Sequence, residues 1–64
     1  MTKAEAIDAL SSGKKVTHHY YYEDEWVVEI NGFYQFEDGV KSTPDEFWSL
    51  RSAKSWQDGW ELFS

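Results

Sequence analysis

Cysteine is absent from this 64-residue chain. That excludes both a disulfide framework and a thiolate metal site as the means of holding a small domain together. A reducing, cytoplasmic setting is the corresponding expectation. Long apolar runs are missing too, and nothing approaches the roughly 20 consecutive apolar residues of a membrane span. The opening MTKAEAIDAL interleaves acids with apolar positions where a secretory signal would need an unbroken apolar stretch. Proline occurs once, at Pro44.

The most informative shortage is of positive charge. Residues 16 to 40 contain no Lys or Arg but hold Glu23, Asp24, Glu25, Glu29, Glu37 and Asp38, and the rest of the chain balances six acids with six bases. The whole net charge of −6 therefore comes from the middle segment. A concentrated negative field repels phosphate backbones and attracts basic surfaces, so direct nucleic-acid binding is disfavoured and a basic protein partner is favoured.

Aromatic residues are what the chain has in quantity: four Trp, four Tyr and four Phe. A domain this short buries only about 60% of the surface its unfolded chain exposes. Each aromatic can remove roughly 150–250 Å² from water, so the first use of these side chains is structural. Trp56 and Trp60 are read as core before they are read as a stacking site.

Thr2-Lys3-Ala4-Glu5 has the form of a capping box and starts a short helix with Ala6, Ile7 and Leu10 as its apolar stripe, stopped by Gly13. From Lys15 the period changes to two. The expectation is a strand over residues 16–22, an acidic turn at Glu23-Asp24-Glu25, and a strand over 26–30. Asn31-Gly32 is a type I′ hairpin turn leading to a strand over 33–36. Glu37-Asp38-Gly39 makes another turn, and Val40-Lys41 opens a short fourth strand or a loop. Thr43-Pro44-Asp45-Glu46 caps a second short helix, and Trp60-Glu61-Leu62-Phe63 closes the chain as a strand. The fold class is α+β in a single domain: N-terminal helix, antiparallel meander of three to four strands, second helix, C-terminal strand.

The stretch HHYYYEDEW, residues 18–26, raises the question of a ligand site. On a continuous strand His18 and His19 point to opposite faces and cannot chelate one ion together. The acids at 23–25 and 37–38 lack the alternating ligand spacing of a calcium loop. No nucleophile elbow or phosphate-cradling glycine loop accompanies the histidines. The expectation is a non-enzymatic protein with no metal and no cofactor. Strand alternation assigns Val16, Tyr20, Trp26, Val28, Ile30, Tyr34 and Phe36 to the helix-covered face. Thr17, His19, Tyr21, Val27, Glu29, Phe33 and Gln35 then fall on the other. Tyr21, Val27 and Phe33 would leave an apolar cluster there, covered by a loop, by the second helix, by a second copy of the chain, or by a partner.

Residues 4–16, AEAIDALSSGKKV, and residues 58–63, DGWELF, resemble small bacteriophage accessory proteins. Among these is the family of Thoeris anti-defence proteins that sequester a cyclic nucleotide signal, which open E-A-x-x-x-L-x-x-G-K-x-V and end in an acid-rich D-x-W-E segment. The resemblance implies a phage or prophage origin, where small acidic proteins occupy a host protein's surface. Three readings follow. In the first, Tyr21 as anchor and Glu23, Asp24, Glu25 and Glu29 as acids bind and inhibit a basic, nucleic-acid-handling host protein. In the second, His19 and Tyr21 bind a nucleotide signal at an oligomer interface. In the third, the chain is a structural or assembly accessory with neither property.

Overall fold

The computed structural model describes residues 1–64. Helix α1 (Lys3–Ser11) is followed by strands β1 (Val16–His18), β2 (Val27–Ile30), β3 (Phe33–Phe36) and β4 (Lys41–Ser42). Helix α2 (Pro44–Ser49), a 3-10 turn (Lys54–Trp56) and strand β5 (Trp60–Leu62) complete the chain. The α+β architecture is as expected. The sheet has five strands in the order β4-β3-β2-β1-β5, with every neighbouring pair antiparallel. The closing strand thus lies beside β1, and the first four strands run as a meander.

Local chemistry explains the element ends. The Thr2 hydroxyl accepts from the Glu5 amide, and the Glu5 carboxylate accepts from the Thr2 amide at 2.9 Å. That backbone hydrogen bond holds the Glu5 carboxyl below the usual carboxylate range. Thr43 caps α2 in the same way through the Glu46 amide, with Pro44 in the first turn, where no amide is needed. Asn31 at φ 52 and Gly32 at φ 83 form the expected hairpin turn between β2 and β3. The second hairpin differs: its loop is Glu37-Asp38-Gly39, and only Gly39 takes a positive φ.

Two expectations are corrected. The first strand stops at His18 instead of reaching Tyr22, because the Tyr20 amide donates to His18 Nδ1 and the Tyr21 amide to the His18 carbonyl, folding the chain into a turn. That turn reverses the expected facing of β2. Val27 pairs with Val16 on one side and Phe36 on the other, so Val27 lies in the core, with Glu29 on the same side of its strand. Trp26, Val28 and Ile30 fall on the other face of the sheet.

Ala6 and Leu10 of α1 and Phe47 of α2 form one buried cluster with Val16, Val27, Tyr34 and Trp60. Register puts those sheet residues on one face, so both helices cover the same side. Gly59, just before β5, must approach that side closely. A Cβ at Gly59 would lie 2.2 Å from His19 Nδ1 and 3.0 Å from His18 Nε2, whereas one at Gly39 would meet nothing, though both have φ +89. Gly39→Ala should cost about 1 kcal/mol for its left-handed backbone alone. Gly59→Ala should cost clearly more; equal denaturation midpoints for the two variants would refute the close-approach account.

Candidate functional site

The face of the sheet away from the helices carries Trp26, Val28, Ile30, Phe33 and Gln35, with Lys15 and Thr17 from β1 and its approach and Glu61 and Phe63 from β5 and its end. This follows from the register of β1, β2, β3 and β5. The Trp26 and Phe63 rings lie 6.3 Å apart, and the Lys15 ammonium sits 4.2 Å from the Trp26 ring centre. Val28 is buried among its neighbours, while Ile30 and Phe33, directly paired across the hairpin, are 45% and 46% exposed. No element of the chain covers this stripe.

Acids gather at one end of it. The β1–β2 loop holds Glu23, Asp24 and Glu25, and the β3–β4 turn holds Glu37 and Asp38. Because Val27 pairs with Phe36, both connections emerge at the same end of the sheet. The Trp26 amide donates to Glu37 Oε2 at 3.4 Å, tying the two connections together. Glu23, Asp24, Glu37 and Asp38 are exposed and Glu25 is half-buried. The only ion pair in the molecule joins the N-terminal ammonium to Asp58, 3.9 Å apart, so these five carboxylates have no cationic partner.

The other expected site residues sit elsewhere. Tyr21 does not anchor the open face. It folds over the helix side, where its hydroxyl accepts from Arg51 Nε at 3.2 Å and its ring meets Trp60 edge-on. Burial pushes its pKa up, against the opposing pull of the Arg51 cation. Glu29 faces Tyr34 across β2–β3 on the helix side, away from the acidic end. His19 is exposed and stacks on His18 with ring centres 4.4 Å apart, so the expected opposition of the two rings is also corrected: the strand has ended before His19.

His18 itself is almost fully buried, and its two nitrogens are both committed. Since the Tyr20 amide can only donate to Nδ1, the proton resides on Nε2, which donates to the Asp58 carbonyl at 2.7 Å. No group of three His, Cys, Asp or Glu side chains is arranged to hold a metal ion.

One open cavity of about 340 Å³ lies at the other end of the sheet, lined by Phe33, Lys41, Ser42, Thr43 and Glu46. Neither His19 nor Tyr21 borders it. The Ser42 hydroxyl beneath it is buried and has no hydrogen-bond partner. No protein-family model, curated protein or solved structure matches this chain. The functional reading therefore rests on the geometry.

Sequence reasoning found the acids and Phe33 but missed Trp26 and Ile30 as open-face residues. Trp26-Val27-Val28 is apolar at three successive positions, so alternation sets no phase there. The usable signal was the neighbouring HHYYYEDE, too polar and too tyrosine-rich to be a core strand throughout.

Two stability measurements check this description. Tyr21→Phe removes the hydroxyl that receives Arg51 and should cost about 1 kcal/mol. Ser42→Ala removes an unpartnered buried hydroxyl and should be neutral or stabilising. A Ser42→Ala loss as large as that of Tyr21→Phe would show that the Ser42 hydroxyl does have a partner.

Proposed function

We propose that this is a non-enzymatic accessory protein of phage type that binds and inhibits a basic, nucleic-acid-handling host protein in the bacterial cytoplasm. The observation that carries the reading is the junction of five unpaired carboxylates with an uncovered apolar stripe on one sheet face. The acids, Glu23, Asp24, Glu25, Glu37 and Asp38, steer encounter and stand where a partner expects phosphates. Trp26, Ile30 and Phe33 supply the apolar contact that such steering alone lacks. They take over the anchoring part expected of Tyr21.

A second copy is the other candidate cover for the stripe. Bringing together two chains that each carry a net charge of −6 is opposed by their mutual repulsion, whereas a basic partner is attracted by the same field. The extents of 27 × 24 × 20 Å make the open face small compared with the roughly 800 Å² per partner of a standard interface, so a partner would also engage the acidic end.

The test is capture from host lysate at low and moderate salt, followed by association kinetics with the recovered protein. Lys at Glu23, Asp24 and Glu25 together should slow association at least about tenfold at low salt and flatten its salt dependence. Ile30→Ser with Phe33→Ser should speed dissociation while changing stability by no more than about 1 kcal/mol. Recovery of no protein at either salt, or an association rate indifferent to the charge reversal, would sink the proposal.

A further inference from the structure

His18 occupies a position that nothing in the proposed binding face uses. It is 2% exposed and lies where β1, the β1–β2 loop, the 3-10 turn and β5 meet. Its ring is 4.4 Å from those of His19 and Trp56, 4.7 Å from Trp60, 5.0 Å from Tyr20 and 6.1 Å from Tyr21. Three bonds fasten the start of the loop to it or beside it: Tyr20 amide to His18 Nδ1, Tyr21 amide to His18 carbonyl, and His19 amide to Gly59 carbonyl. The far end of the loop is held by Thr17, whose hydroxyl donates to the Glu25 carbonyl at 2.7 Å.

We infer that His18 is an acid-operated latch: protonation at Nδ1 releases residues 19–25, the loop that carries Glu23, Asp24 and Glu25, while the rest of the sheet stays folded. A proton at Nδ1 points a second donor at the Tyr20 amide, and both must separate. No carboxylate faces the ring to balance the new charge, and only the backbone of Asp58 and Ser55 favours it. From the loop, the rings of His19, Tyr20 and Tyr21 face it, and from the segment after α2 comes the Arg51 guanidinium, itself bonded to Tyr21. From the turn before β5 comes Asp58, which offers only its carbonyl, since its carboxylate accepts from the Gly59 amide and lies near the N-terminal ammonium. The 3-10 turn presents the Ser55 backbone and the Trp56 ring, and β5 the Trp60 ring, none of which carries a charge.

Burial, opposed by backbone hydrogen bonds to Asp58 and Ser55 and helped by the proximity of His19 and the Arg51 guanidinium, lowers the His18 pKa from 6.5. The sign follows from linkage. The opened loop binds the proton more readily than the closed one, so closure is fully favoured above about pH 6.5 and weakens as pH falls through the depressed value. The loop is the part able to yield, because exposed Tyr22, Glu23 and Asp24 contribute little packing.

Backbone amide exchange of the isolated protein across pH 7.5 to 4.5, expressed as protection factors, tests this without any partner. The amides of Tyr20, Tyr21 and Glu25 should lose protection at least tenfold on acidification, while those of β2, β3 and α1 keep theirs. Ring-nitrogen shifts of His18 should report Nδ1 protonation over the same pH interval, and His18→Gln should abolish the step where His19→Gln does not. Simultaneous loss at all amides, or loop opening at a pH where the His18 ring is still neutral, overturns the latch. The ring-shift comparison uses the unaltered chain, so it decides the matter even if His18→Gln does not fold. Because no binding is measured, failure here leaves the partner proposal standing, and failure of the partner proposal leaves the latch standing.

Discussion

Trp60 is the side chain around which the helix face of this protein is assembled. It is fully buried and meets His18, Tyr21, Trp48 and Phe47 on different sides. Its indole N–H donates to the Trp56 carbonyl at 2.9 Å, so the ring is fixed in orientation as well as position. Its backbone amide donates to the Met1 carbonyl, and its carbonyl accepts from the N-terminal ammonium, which joins the two ends of the chain. Burying an indole of this size removes roughly 150–250 Å² from water, about 4–6 kcal/mol at ~25 cal/mol per Å². In a chain of 64 residues that is a large share of the net stability available.

Concentrating the core on one side has a consequence for the other. Two short helices are enough to cover one face of five short strands, and the chain has no further element to lay over the second. The core side takes Trp60, Phe47, Tyr34 and the half-buried Tyr21, Phe36, Trp48 and Trp56. On the open face lie Trp26, Phe63, Val28, Ile30 and Phe33, a stripe only partly sheltered by its own contacts and by Lys15, whose ammonium rests over the Trp26 ring. The cations are spent in a similar way. Arg51 is held 3.9 Å over the Phe47 ring and bonded to Tyr21, and Lys3 and Lys15 rest against Trp48 and Trp26. Three of the six cations thus lie on aromatic rings, and none of the six forms an ion pair with the acids at the end of the sheet.

The β1–β2 loop joins these two sides. Tyr21 reaches back to the core and Glu23 to Glu25 reach into solvent, so a single connection is both part of the packing and part of the charged surface. His18 sits under its first residues with both ring nitrogens bonded to backbone. The geometry couples what happens at a buried imidazole to where the carboxylates of Glu23, Asp24 and Glu25 are held.

The sequence by itself determined the features that depend on nearest neighbours along the chain. Thr2 with Glu5, Thr43 with Pro44 and Glu46, Asn31 with Gly32, and Gly13 each fix a helix end or a turn through bonds spanning a few residues, and all appear where the pattern put them. The central excess of acids was equally legible, because charge is counted and does not depend on packing. Tertiary structure alone decided which way β2 faces and where β1 stops. Three successive apolar residues at 26–28 satisfy either phase, and the choice was made by Val16 and Phe36, eleven and nine residues from Val27, which flank it in the core. The capture of the Tyr20 amide by His18, and of the His18 ring by a carbonyl forty residues later, are long-range satisfactions of buried polar groups. Such bonds leave no periodic trace in a sequence, which is why Tyr21 and Glu29 were expected on the open face and are found on the closed one.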